Sequence, residues 1–201
     1  INCKFVANTG TERGGGMLNS GGSPTVIYCT FSGNTGGLYG GGMYNDYCSP
    51  TVSNCIFWGD SPQEVVNYSS APVMRFSDVQ GGLPAGATDG GGNVDVDAMF
   101  VRPPDPGPDG TWDGVDDDYG DLRLRGGSPC IDAGDPAFIA QPGEADIEGH
   151  ARSVLLGVAS VTLPCWSNLM AASVSVTDGD FIGGAAIYGV YALAAALTTY
   201  V

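Results

Sequence analysis

Basic residues are scarce in this chain: 7 Lys and Arg stand against 22 Asp and Glu, for a net charge of −15, with a single histidine, His150. That balance excludes nucleic acid and anionic membrane surfaces as partners, because phosphate groups would be repelled rather than neutralised. No C-x-x-C pair occurs among the six cysteines, so neither a zinc knuckle nor a dithiol redox motif is indicated. No L-x-x-L-x-L pattern occurs either, which argues against a leucine-rich solenoid. No targeting leader is visible. Ile1 already lies inside a repeat copy, so the chain is expected to begin partway through a longer protein.

What is abundant is glycine and proline, 33 and 13 of 201 residues, in a chain only 14% charged. Without a period such a composition would read as low complexity. A period is present. At a shift of 26 residues Ile1-Asn-Cys-Lys-Phe5 faces Ile27-Tyr-Cys-Thr-Phe31 and Ser53-Asn-Cys-Ile-Phe57, and Asn8 faces Asn34 and Asp60. Gly14-Gly-Gly-Met17 faces Gly40-Gly-Gly-Met43, Asn19 faces Asn45, and Ser23-Pro-Thr-Val26 faces Ser49-Pro-Thr-Val52. Two full copies and the opening of a third are present.

Within a copy, Cys-x-Phe alternates with period two, as a strand with one buried face requires. Asn, Gly and Ser-Pro punctuate three such short runs with turn chemistry. A 26-residue unit of this kind cannot bury its own apolar face and must stack on its copies. The expected fold is therefore all-β, a right-handed parallel β-helix with about three short strands per coil, handed by the preference of β-crossovers. Cys3, Cys29 and Cys55 should share one internal column and Phe5, Phe31 and Phe57 another, with Asn8, Asn34 and Asp60 as a turn ladder. Stacked cysteines at one coil spacing are too far apart for a disulfide and read as free buried thiols. Cys48 is open to pairing with Cys130 or Cys165.

The stretches "GGGMYNDYCSPTVSNCIFWG", "FSDVQGG", "GNVDVDAMFV", "DLRLRGGSPCIDAGDP" and "ADIEGHAR" resemble the right-handed parallel β-helix repeat proteins of the pectin-lyase-like superfamily, above all large extracellular or surface proteins of planctomycetes and related bacteria. The resemblance covers residues 1 to about 152. In that family the Ser128-Pro-Cys-Ile-Asp-Ala-Gly134 motif marks the C-terminal end of the helix. The family then continues into a short Asp-(Ile/Met)-Gly-Ala-(Tyr/Phe)-Glu segment, where this chain reads Ser153-Val-Leu-Leu-Gly. Residues 1–152 are thus expected to form the coils and closing region, with an acidic loop over 103–121. Residues 153–201 are expected to be a divergent tail, a hydrophobic anchor or an aberrant, out-of-frame stretch. Residues 181–201 carry no charge and are long enough to cross a bilayer, so membrane contact is expected only through them.

The resemblance implies an extracellular or cell-surface location and a polysaccharide or wall glycan as partner. Many members cleave acidic polysaccharides, lyases with calcium-bound carboxylates and an Arg or Lys base, hydrolases with paired Asp. Either needs ionisable side chains aligned on an exterior face over adjacent coils. Lys4, Glu12, Arg13 and Asp46 occupy different repeat positions and form no such column. Asp60 reads as a ladder residue, Arg75 and Asp78 as an acid–base pair across a coil or a surface ion pair, and His150 as a loop residue. Trp58, Trp112, Tyr39, Tyr44 and Tyr47 are either sugar-stacking faces or packing.

Ten carboxylates fall between residues 89 and 121. Asp109, Thr111, Asp113 and Gly114 match the first positions of an EF-hand loop, but Gly120 stands where the bidentate Glu belongs. A looser calcium set of Asp109, Asp113, Asp116, Asp117 and Asp118, joined by Asp121, competes with a solvated insertion. The reading leans to a non-catalytic scaffold, adhesin or glycan-binding module, the alternative being a polysaccharide lyase or glycoside hydrolase.

Overall fold

The computed structural model describes residues 1–138, Ala145 and Gly149, and the backbone of Val154–Leu156 and Ala159–Val161, which pair antiparallel. His150, Cys165 and the uncharged 181–201 stretch lie outside the described residues. Among the described residues there is no helix, and hence none long and apolar enough to cross a membrane.

Parallel strands from successive repeats stack into three sheets of three or four strands, beside a short parallel pairing of Thr9–Gly10 with Thr35–Gly36. The phenylalanine sheet holds Lys4–Val6, Thr30–Ser32, Ile56–Trp58 and Asp78–Val79. The methionine sheet holds Met17–Ser20, Met43–Asp46 and Val65–Tyr68. The valine sheet holds Thr25–Ile27, Thr51–Ser53, Val73–Arg75 and Thr88–Asp89. This all-β stacking is that of a β-solenoid, and its register follows the 26-residue period: Phe5 pairs with Phe31 and Phe31 with Phe57, Met17 with Met43, Val26 with Val52.

The corners have a single physical device. A residue in the left-handed region turns the chain where one sheet ends and the next begins. Asn2, Tyr28, Asn54 and Phe76 occupy one corner at φ 59°, 57°, 53° and 47°, and Ala7, Gly33, Gly59 and Gly81 a second. Non-glycine residues pay about 1–2 kcal/mol for that conformation, so the stacked ladders around each corner must over-determine it.

Those ladders are visible. The Asn34 amide donates to Asp60 Oδ1 at 2.7 Å and to the Phe5 carbonyl at 2.9 Å, while Asn8 donates to Asn34 Oδ1 at 2.8 Å. A second ladder runs Asn19, Asn45, Asn67, each amide donating to the next at 2.8 Å. Asn34 and Asn45 are wholly buried, so these hydrogen bonds replace solvation that burial removes.

The cysteine column is equally ordered. Each of Cys3, Cys29 and Cys55 turns its thiol to the carbonyl two residues earlier, at 3.2–3.3 Å. Cys29 N–H donates to Cys55 Sγ at 3.5 Å, and Cys55 N–H to Ser77 Oγ at 3.2 Å. The position therefore calls for a small side chain with an acceptor, which Ser77 supplies as well as Cys. All three column thiols are free, as are Cys48 and Cys130, which do not pair with one another.

The period shortens in the third repeat. Thr35 pairs with Ser61, 26 residues on, but Met43 pairs with Val65, only 22 on. The segment lost corresponds to the second repeat's Gly37 to Gly40 region, since Gly36 N–H still donates to Ser61 O and Gly41 N–H donates to Gln63 O. The glycine triplet packs beneath this step. A Cβ on Gly41 would run into Ser61 N and stand 2.6 Å from Asn34 O; one on Gly42 would stand 2.5 Å from Asp60 Oδ2. Gly41→Ala is expected to cost about 1–3 kcal/mol by overpacking, whereas Gly22→Ala, with nothing within 4 Å, should be near neutral. Paired urea melts of the two variants measure it.

The interior of the stack is the main core, Val26, Cys29, Phe31, Met43, Val52, Cys55, Phe57, Val65, Met74 and Val79. A second core lies on the outer side of the phenylalanine sheet. There Phe100–Arg102 and Asp121–Leu124 form an antiparallel hairpin, and Ala98, Phe100, Leu122, Leu124 and Cys130 pack with Ile56, Val6 and Trp58. Farther along, the chain runs back past one corner residue per repeat: Asp135 N–H donates to Asn54 Oδ1 at 2.7 Å, Phe138 packs edge-on to Tyr28 at 5.2 Å, and Asn2 donates to Ala145 O at 3.3 Å.

Candidate functional site

The step left by the shortened repeat is a cleft of about 430 Å³, between Tyr39 of the longer second-repeat loop and residues 81–85. Gln63, Glu64, Val66, Asn67 and Gln80 line it. It lies at the junction of the phenylalanine and methionine sheets, on a side that the hairpin does not cover.

Behind it sit two buried carboxyl groups, Asp60 and Glu64, exposed by only 8% and 7%. Each is anchored by backbone or ladder donors. Asp60 Oδ1 accepts from Asn34 N–H and from the Asn34 amide, both at 2.7 Å. Glu64 Oε1 accepts from Gly59 N–H at 2.9 Å and from Asp60 N–H at 3.1 Å. Burial and the neighbouring Asp60 charge push Glu64 up to about 9, while burial, opposed by the hydrogen bonds from Glu64 and Asn34, brings Asp60 up to about 6. At neutral pH the pair therefore holds one proton between its two carboxyl groups. Asp60 Oδ2 is buried without a partner if both groups are ionised, and a hydroxyl on Glu64 is the donor that resolves it.

Asp78 is a third buried carboxylate, 2% exposed and raised to about 6, mainly by burial. It does not meet Arg75, as the sequence spacing allowed. Its Oδ1 accepts from Val96 N–H at 3.1 Å and its Oδ2 from the Cys130 thiol at 3.1 Å, while Arg75 is exposed. Asp78 thus ties the second core to the phenylalanine sheet rather than forming an acid–base pair.

The acidic insertion is arranged around its own backbone. Asp109 Oδ1 accepts from Thr111 N–H at 2.9 Å, Asp113 Oδ1 from the Thr111 hydroxyl at 2.8 Å, and Asp117 Oδ2 from Gly114 N–H at 3.2 Å. Asp116 lies against Gly107 and Gly114. Asp118 accepts from Gly120 N–H at 2.8 Å and ion-pairs with Arg102 at 2.5 Å; Asp121 ion-pairs with Arg123 at 2.6 Å. The Gly120 amide and the Arg102 guanidinium lower Asp118, and Arg123 holds Asp121 at about 2. Among the described residues no three His, Cys, Asp or Glu side chains converge as a metal site.

The aromatic candidates divide by environment. Tyr44 is buried with Arg13 above its ring at 5.1 Å, Trp58 packs in the second core, and Trp112 stacks with Tyr119 at 6.0 Å. Tyr39 and Tyr47 remain exposed at 47% and 66%, on the side of the methionine sheet.

The outward columns of the sheets can be read in register. They run Lys4, Thr30, Ile56, Asp78; Thr25, Thr51, Val73, Thr88; Ile27, Ser53, Arg75; Leu18, Tyr44, Val66; and Ser20, Asp46, Tyr68. Among the described residues no two Asp, Glu, Lys or Arg side chains are neighbours in any of them, and the one ionisable pair in register is Asp46 beside Tyr68. The phenylalanine sheet's outer face is moreover occupied by the hairpin core. Glu64 and the cleft escaped sequence reasoning because they arise from the missing residues of the third repeat; the signal available was Asn67 standing 22, not 26, after Asn45. Compared with family models, curated proteins and solved structures, the chain matches none.

Proposed function

We propose that the stacked repeats are coils of a right-handed parallel β-helix, three strands to a coil. In this reading they serve as a non-catalytic extracellular or cell-surface module, a scaffold or adhesin that binds glycan. The observation that carries the reading is that, among the described residues, no acidic side chain adjoins another or a basic one on the outward columns, since lyase and hydrolase chemistry needs an acid and a base brought to one exposed face. The exposed tyrosines and the amides lining the cleft favour recognition over turnover, as aromatic faces and fixed amides bind sugars without transferring protons. Incubation with polygalacturonate and calcium, followed by the absorbance of unsaturated product, should give no signal above buffer. Steady product formation would overturn the non-catalytic reading.

One observation favours a hydrolase instead. The Asp60 and Glu64 pair shares a proton next to a cleft, and paired carboxyl groups of unequal affinity for protons are the requirement of acid–base glycoside cleavage. Against it, the described contacts of both groups are to the ladder and to backbone N–H groups. Release of reducing ends from a polysaccharide, abolished by Glu64→Gln, would decide for the hydrolase.

A further inference from the structure

We infer that the step cleft of the third repeat is a binding subsite for an uncharged saccharide unit, with Tyr39 as its stacking face and the Gln63 and Gln80 amides as its hydrogen donors. This rests on the glycan-binding reading above and assigns it a place and a ligand class.

The lining carries the argument. Apart from Glu64, every residue around the cleft is uncharged, and the Glu64 carboxyl is buried and turned to Gly59 and Asp60 N–H. An acidic sugar would find no cation there and would face a chain of net charge −15. The two glutamines are already oriented. Gln80 Oε1 accepts from Gly59 N–H at 2.8 Å and Gln63 Oε1 from Gly40 N–H at 3.4 Å. With each oxygen engaged by backbone, the NH₂ group is the atom set left over, and neither has a partner among the described residues. Hydroxyl oxygens of a sugar are matching acceptors. Val66, Leu83 and Pro84 supply an apolar wall for the C–H face of a ring, and Tyr39 an aromatic one, at 47% exposure. The volume falls within the range of about 300–1,000 Å³ usual for small-molecule sites. The cleft is also preformed. Its upper lip is the second-repeat loop, pinned where Leu38 and Tyr39 N–H both donate to Glu12 O, and its lower lip is tied by Asn67, whose amide donates to Ala85 O at 2.9 Å.

The test is isothermal titration of the full chain with cellohexaose, mannohexaose and laminarihexaose, with hexagalacturonate as the acidic counterpart. At least one neutral hexamer should bind, and hexagalacturonate should not. Tyr39→Ala and Gln80→Glu should each weaken binding about tenfold or more, the loss of a stacking face or of one satisfied donor. Gln80→Glu keeps the acceptor for Gly59 N–H but sets a carboxylate beside Glu64, which shares that donor, so a cooperative melting curve at the titration pH checks that the variant is folded. Tyr119→Ala, on the acidic hairpin, should leave affinity unchanged. Binding that Tyr119→Ala weakens and Tyr39→Ala does not would overturn the subsite while leaving glycan recognition standing. Binding of hexagalacturonate alone would overturn the uncharged ligand class. No binding by any hexamer would overturn the inference, and the non-catalytic reading would then stand or fall on the lyase assay.

Discussion

Raising the pH from 5 to 9 is expected to lower the melting temperature of this protein steadily, and Glu64→Gln is expected to remove most of the loss above pH 6. The sign follows from linkage. Glu64 is raised from 4.5 to about 9 on folding, so between those values the folded chain holds a proton that the unfolded chain has released. Stability is then greatest below about pH 4.5 and declines as pH climbs through 9. Asp60 and Asp78, each raised from 3.8 to about 6, add a decline confined to the interval between those values. Asp118 and Asp121 are shifted the other way and favour higher pH, but both lie at the surface, where solvent screens the effect. Cys29, brought down to about 6 by its hydrogen bond with Cys55, also opposes the decline above pH 6, and the Glu64→Gln comparison, in which Cys29 is unchanged, isolates the Glu64 part. Glu64 is buried, so its contribution is on the order of a few kcal/mol, or roughly 10 °C for a domain of this size. A glutamine in its place keeps an oxygen for Gly59 and Asp60 N–H and offers Asp60 Oδ2 an NH₂ that does not titrate, in place of the shared proton. Melting curves at pH 5, 7 and 9 for both proteins measure it. A parent curve flat across that range, or an equal slope in the variant, would remove the shared proton from the account.

The same pair marks where the sequence was legible and where it was not. Identical residues recurring every 26 positions must occupy identical environments, so the Phe and Cys columns, the Asn8–Asn34–Asp60 ladder, the register of the first two layers and the opening strand of the third followed from spacing alone. Asp60 was readable as a ladder member for the same reason. Glu64 was not, because it belongs to a turn that has no counterpart in the earlier copies. The hairpin over the phenylalanine sheet was beyond reach for another reason. Nothing in the spacing of Asp78 and Cys130, 52 residues apart, states that a later strand will fold back onto an earlier outer face. Arg75 and Asp78 therefore looked like a possible pair, when burial under that hairpin had already assigned Asp78 to Cys130. Serine at position 77 hid the continuation of the cysteine column, although the role conserved through the stack is the acceptor atom, not the sulfur.

Phe31→Ala is expected to be the most damaging single truncation, at about 3–5 kcal/mol, and clearly worse than Phe5→Ala. The ring of Phe31 is wholly buried and lies between those of Phe5 and Phe57, each 4.5 Å away and within 8° of parallel. Removing it deletes two ring contacts and opens a void that the stack cannot close. The layers above and below are held apart by backbone hydrogen bonds at the strand spacing of about 4.8 Å. Phe5 is half-buried and touches only one ring, so its loss removes one contact and leaves a space that solvent can fill. In a stack whose stability is a sum of interfaces between neighbouring layers, a middle ring counts in two interfaces and an end ring in one. Urea unfolding of the two variants measures the difference. Equal losses would mean that the rings do not act as one column, and with that the stacking argument for the whole repeat would fail.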